Sequence, residues 1–540
     1  MKKEIKKSFW VKIMAFFLVL LGTAFLGKNT KTLADSTLDP TDPISVSGGK
    51  ISGTYSKDQS IAEYKGIPYA KPPVGNLRWQ APQDVSSWQG VKKTTQFGKN
   101  PMQAKMYMKA YPLVSREFQA NPKYGMSENC LSLNVWANKN KAQKKPVIVY
   151  IYGGGFDHGG TSAPAYDGEN LAKKGAVVVS MNYRTGILGF LAHPKLTKEA
   201  KDHTSGNYGL LDQIKALQWV KANIGQFGGN AKNVTIMGQS AGAWSVNDLI
   251  ASPKARGLFS KAISLSANYY SLKSPTLKSQ EKKGQKAFVG KSLKQMRKIS
   301  AKKLLKMKYN QAPNSVPNID RKVLLGNYLD QVKKKKAADI TLMSGYTGDE
   351  SVGEMVTEMS GNGLAGDINV SKKSYIKQVK GKTGRYAKAF LKMYPASNKN
   401  NKKIAEKLNA DDLLFKQNHL AQIRNRNYRS KTYNYLFSHI TPGPHAKKFG
   451  AFHASDQPYF FDNFIGWRKN YWQGGDFNLG NTMSKYLVNF AKFGNPNSNS
   501  LPQWNANNGT DKYMNLNSIS KQNQLSKNKV QLFQKLYNFH

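Results

Sequence analysis

At 540 residues, with 39% hydrophobic and 11% aromatic content, the chain carries enough apolar side chain for a large buried core, which excludes an intrinsically disordered protein. Lys and Arg number 82 against 32 Asp and Glu, a formal net charge of +50, which favours polyanionic partners. No nucleic-acid-binding motif accompanies that charge, so nucleic acid is not an expected partner, and the single cysteine, Cys130, excludes an intrachain disulfide.

The chain opens on a basic stretch containing Lys2, Lys3, Lys6, Lys7 and Lys12, followed by an uncharged apolar run over 13–26. That run is shorter than the roughly 20 residues a membrane-spanning helix needs, and it suits the apolar centre of a secretory signal peptide. Thr32-Leu33-Ala34 ends in a small residue, as a cleavage site requires. Residues 1–34 are therefore expected to be a signal peptide, and 35–540 a single secreted domain. The rival reading keeps the leader as an anchor. Outside a cell, the positive charge reads in two ways: solvated lysines that keep the chain soluble, or a surface for anionic cell-wall polymers.

Residues 36–43 read as a linker, and 46–64, with interspersed glycines, as a small antiparallel hairpin region. From residue 146 the pattern changes. The runs 146–152, 176–181, 234–237, 262–265 and 340–343 are near-continuously apolar, and 432–437 is a late strand of the same kind. Between them, 210–224 and 484–493 have helical spacing of apolar residues. Buried strands alternating with helices predict an α/β fold with a large, mostly parallel central sheet. The lysine-rich stretch 271–338 reads as helices and loops forming part of a cap, and 371–430 as mostly helical.

Gly238-Gln239-Ser240-Ala241-Gly242 follows the strand 234–237 and precedes a helical stretch. A serine on such a strand-to-helix turn presents its hydroxyl at the carboxyl edge of the sheet, beside the positive end of a helix. Gly153-Gly154-Gly155 follows the strand 146–152, where consecutive glycines can expose backbone N–H groups to a developing oxyanion. The amides of Gly154, Gly155 and Ala241 are the candidates. A serine nucleophile needs a base, and the base an orienting acid; with this turn, both follow the serine in the chain. His419, His439, His445 and His453 follow with room for an acid between, while His540 ends the chain. His453 lies in a loop between apolar segments; His445, after Gly443-Pro444, reads as a surface turn. The acid should follow a strand, and after 340–343 both Asp349 and Glu350 qualify. Their chemistry alone does not separate them.

The chain resembles the type-B carboxylesterases, a family that includes bacterial para-nitrobenzyl esterases, animal carboxylesterases and cholinesterases. The matching stretches are 64–75, 127–134, the glycine loop, 182–190, 206–213, the serine turn and the His453 segment, in family order. The resemblance implies the α/β-hydrolase fold, a Ser240 nucleophile, Glu350 as acid, His453 as base, and Gly154, Gly155 and Ala241 as oxyanion donors. It implies short-chain or aryl esters as substrates, without metal or organic cofactor. It also implies a structural ion pair between Arg78 and Glu128. Three departures stand out. Gln239 replaces the family's usual glutamate, which removes a charge beside the nucleophile. Asn129 replaces an aspartate. Asn100 stands where the family cysteine paired with Cys130 would lie. Some relatives, such as neuroligins, are non-catalytic cell-surface binding modules; the complete Ser240, Glu350 and His453 set favours an enzyme.

Overall fold

The computed structural model describes residues 37–104, 117–141, 144–267, 273–310, 314–350, 370–443, 446–464 and 469–539. The expected signal peptide, His445 and His540 lie outside them.

Eleven strands form the main sheet: β1 (Thr54–Tyr55), β2 (Ile61–Pro68), β3 (Ser132–Asn138), β4 (Lys145–Ile151), β5 (Val177–Met181), β6 (Gly229–Gln239), β7 (Lys261–Leu265), β8 (Thr341–Thr347), β9 (Thr432–Phe437), β10 (Lys512–Leu516) and β11 (Lys521–Gln524). Their order is β11-β10-β9-β8-β7-β6-β4-β5-β3-β2-β1. The strands from β5 to β10 run parallel, and antiparallel pairs close both edges. The parallel strands are buried on both faces, which is why β4, β5 and β7 read as near-continuous apolar runs. The N-terminal hairpin region is present as well: Ile44–Val46 pairs antiparallel with Gly49–Ser52, and β1 with β2.

Three strands escape the sequence pattern. β3 carries Ser132, Asn134 and Asn138 among its apolar residues, yet it is almost wholly buried. Asn134 is satisfied on both ends: it accepts from the Gly66 amide at 2.9 Å and donates to Ser180 Oγ at 3.0 Å. β10 is short but alternates, burying Met514 and Leu516, while β11 is wholly polar and is made a strand by its pairing with β10.

Among the helices, α1 (Gly186–Phe190), α2 (Pro194–Glu199), α3 (Tyr208–Asn223), α4 (Ala241–Ala251), α5 (Leu277–Ala287), α6 (Leu293–Lys298), α7 (Ala301–Leu305), α8 (Lys372–Thr383), α9 (Asn401–Asn427) and α10 (Gly474–Phe493) carry the argument below. α4 packs on β6 and β7, and α9 on β8 and β9. The lysine-rich helices α5 to α7 do not join the main core. Phe288, Met296 and Leu304 bury against Ile187, Leu191 and Leu196 in a satellite core over α1 and α2. Arg78 ties this layer down: its guanidinium donates twice to Glu128, at 2.7 and 2.5 Å, and to the carbonyls of Arg297 and Ile299.

The parallel register decides where the chemistry can be. Gly238 pairs with Ile151, Gln239 with Leu265, and Leu265 with Gly345. The residues following β4, β6, β7 and β8 therefore emerge together at one carboxyl edge, where open parallel sheets hold their ligands.

Candidate active site

Ser240 stands between the last residue of β6 and the first of α4, with φ 57° and ψ −123°. This is a strained conformation for a residue with a side chain, of the kind that persists where the surroundings over-determine it. They do: the Ser240 amide donates to the Leu265 carbonyl and its own carbonyl accepts from the Trp244 amide, both at 2.9 Å. The flanking glycines are a matter of contact. A Cβ on Gly238 would collide with the Gly242 carbonyl, and one on Gly242 with the Ile151 carbonyl. The turn closes only without them.

The glycine loop after β4 lies against this turn, for a Cβ on Gly153 would come within 2.6 Å of the Gln239 carbonyl and 3.0 Å of Ser240 Cβ. Gly154 and Gly155 have φ of 107° and 59°, a backbone path that glycine adopts readily. The Gly154 carbonyl is occupied by the Asp157 and His158 amides, whereas the Gly154 and Gly155 amides find no acceptor among the described residues. Ala241 opens α4, where the helix leaves its own first N–H groups unbonded.

His453 and Glu350 meet, at 2.5 Å between Nδ1 and Oε2. The other Glu350 oxygen accepts from Ser266 Oγ at 2.5 Å and from the Thr347 amide at 2.8 Å. Asp349, left level with Glu350 by sequence, has a different task. It accepts the Ala451 amide at 2.7 Å, and its backbone bridges to Phe452, holding the His453 loop beside β8. Burial would push the Glu350 carboxyl up, but the charge and hydrogen bond of His453 outweigh it and hold the group below its ordinary range. Burial would likewise lower the imidazole pKa, yet the charge and hydrogen bond of Glu350, with a contribution from Asp456, carry it above 6.5. With Nδ1–H given to the carboxylate, Nε2 is the free acceptor, and at 3.0 Å it faces the Gln239 side-chain nitrogen. The imidazole thus rests on the neighbour of Ser240, and no hydrogen bond joins Ser240 to His453 among the described residues.

The other histidines lie elsewhere. His439 pairs with Asp476 at 2.8 Å, and His419 stacks on Phe539. Two site residues had no clear sequence signal. Ser266, at φ 61°, was findable only as the residue just past a strand. Asp456 is fully buried three residues after His453, accepts from Tyr435 at 2.7 Å, and is pushed up to about 7, chiefly by burial. Of the aromatics near the serine, Tyr459 and Phe460 are core, and Phe156 packs between Phe190 and Trp244.

The profile of the carboxylesterase family matches residues 40–537. The chain belongs to the carboxylesterase family. It is 31% identical to the fumonisin B1 esterase of Sphingopyxis macrogoltabida, over 89% of this chain and 87% of that protein. It is 32% identical to the para-nitrobenzyl esterase of Bacillus subtilis (strain 168), over 84% of this chain and 90% of that protein. Mouse cholinesterase is 44% identical over a shorter span, 38% of this chain and 33% of that protein. A solved structure of PNB esterase superposes with a TM-score of 0.74 at 29% identity, covering 92% of this chain and 99% of that one.

In this carboxylesterase Cys130 is a buried free thiol whose pKa burial pushes far up. Asn100, at the place of a partner cysteine, instead accepts from Ser162 and donates to the Asn121 carbonyl, both at 2.8 Å.

Proposed function

We propose that this carboxylesterase is a secreted serine hydrolase of short-chain or aryl carboxylic esters, working through Ser240, His453 and Glu350. The observation that carries the reading is the 2.5 Å contact of His453 Nδ1 with a partly buried Glu350, beside a serine held on a strained turn. Glu350 fixes the tautomer that leaves Nε2 free to accept a proton, and stabilises the imidazolium that results. Once the Gln239 amide swings off Nε2, Ser240 Oγ can take its place. Ser240 Oγ bonds to the ester carbonyl carbon as its proton passes to Nε2. The carbonyl oxygen becomes an oxyanion facing the Gly154, Gly155 and Ala241 amides. Collapse breaks the bond to the alcohol, which leaves with the proton from Nε2. Water repeats the sequence on the acyl-enzyme, releasing the acid and restoring Ser240. Secretion rests on the signal-like segment 1–34, and a substrate with an aromatic alcohol part on the relative named for a para-nitrobenzyl ester.

The test is hydrolysis of para-nitrophenyl acetate, butyrate and octanoate beside Ser240→Ala. Activity lost in the variant, by at least about a thousandfold, is the expected result. Folded protein inactive on all three esters would favour a non-catalytic binding module instead.

A further inference from the structure

The basic surface is densest in two stretches, 372–407, with twelve Lys or Arg and Glu406 its only acid, and 273–308. From 273 to 308, thirteen residues are Lys or Arg, and Glu281 is the only acid. A lysine stands at every fourth position, at 278, 282 and 286 and again at 294, 298, 302 and 306, and all seven are exposed. None of them makes an ion pair among the described residues. Arg297 alone in the stretch is paired, to Glu199, while Glu281 is taken by Thr197 at 2.5 Å.

Like charges four apart on a helix repel one another, so the isolated chain bears this pattern at a cost in stability. The framework under it is firm. Thr276, Ser292 and Ser300 cap α5, α6 and α7, the Ser292 cap being a reciprocal box with Gln295. Phe288, Met296 and Leu304 lock the three helices onto the satellite core, and Arg78 grips the end of α6. The lysines consequently project from helices that are already fixed, and a polyanion bound to them would not have to order the helices first.

We propose that the outer face of α5 to α7 is a docking surface for a flexible phosphodiester polymer with a polyol backbone. Of the large hydrophobic residues in the stretch, only Val289 is exposed. The face therefore offers no aromatic platform for stacking nucleic-acid bases, and no apolar side to bury in a lipid interface. What it offers is a row of point charges, which suits a chain of phosphates and nothing else along it. The surface is separate from the Ser240 site and stands or falls independently of the esterase reading.

The experiment measures binding of the full chain to poly(glycerol phosphate) over a salt series. One variant carries Lys282→Gln, Lys286→Gln, Lys294→Gln and Lys298→Gln; a charge-matched control carries Lys372→Gln, Lys373→Gln, Lys377→Gln and Lys380→Gln on α8. The first should lose at least about tenfold in affinity and flatten the salt dependence, each released phosphate contact removing roughly 0.7–0.9 from the log–log slope. The control should stay within about threefold. Acetylation footprinting of the unaltered chain, which needs no variant to fold, should show polymer protecting the α5 to α7 lysines over those of α8. Equal losses in both variants, or equal protection, would mean that net charge alone drives binding. Tighter binding to a single-stranded oligonucleotide of matched charge, or to anionic phospholipid vesicles, would overturn the choice of partner.

Discussion

His453 is pulled in two directions, and Gln239 is the residue that decides how far. Glu350 at Nδ1 and the nearby Asp456 favour the imidazolium. The Gln239 amide at Nε2, as a donor, favours the neutral ring. On the proposed mechanism the imidazole must be neutral to take the Ser240 proton, so activity should fall as pH falls through its pKa. With that pKa raised, the acid limb of kcat/KM should have its midpoint above 6.5. Gln239→Glu places a second negative charge beside Nε2 and should move the midpoint up by about one unit. A pH–rate profile of both proteins checks this; a midpoint that stays put or moves down would show that Gln239 does not govern the base. At this scale, the strand–serine–helix context pointed to Ser240, the histidines and acids after it stayed open, and family resemblance proposed both His453 and Glu350. The separation of Glu350 from Asp349 is visible in the fold alone, because it depends on which carboxylate points to the imidazole and which to the Ala451 amide.

Elements here are held by a few buried polar anchors. Arg78 joins the 3-10 turn Gly75–Leu77, Glu128 and the end of α6, with its side chain only 8% exposed. Arg78→Ala would strand Glu128 and two carbonyls, so it should destabilise the protein by about 3 kcal/mol. Because Arg78 acts at the satellite core, kcat on para-nitrophenyl butyrate at 25 °C should stay close to the parent value. Urea unfolding beside that assay tests both halves, and an unchanged midpoint would show the anchor to be idle. β4, β5 and β9 were legible from apolar runs. β3 was not, because its buried Asn134 looks like a loop residue until Gly66 and Ser180 are seen to satisfy it. β11 was not, because its pairing partner rather than its own side chains defines it, and β10 was not, because its alternation spans only five residues.

Across the whole molecule the net charge of +50 opposes compaction. The exposed lysines of α5 to α7 and those of α8 all add to that excess. Screening shortens the reach of that repulsion to about 10 Å at 0.1 M salt and 3 Å at 1 M. Thermal unfolding should consequently move up by a few degrees between low salt and about 0.5 M sodium chloride. A flat or falling Tm would indicate that ion pairs, rather than repulsion, dominate the surface.

Periodicity and motif order were enough to state the parallel sheet, the serine on its turn and the family. Apolar runs, glycine spacing and a strand–serine–helix context are local properties, and each is written in consecutive residues. The site as a working arrangement is not local. Glu350 and His453 are 103 positions apart, and Gln239 and His453 are 214 apart. Contacts over such separations follow from strand register and loop closure, which exist only once the sheet has formed. The same holds for the lysines of α5 to α7: composition announced the charge, but their fixed outward placement depends on helices that bury Phe288, Met296 and Leu304 in the satellite core.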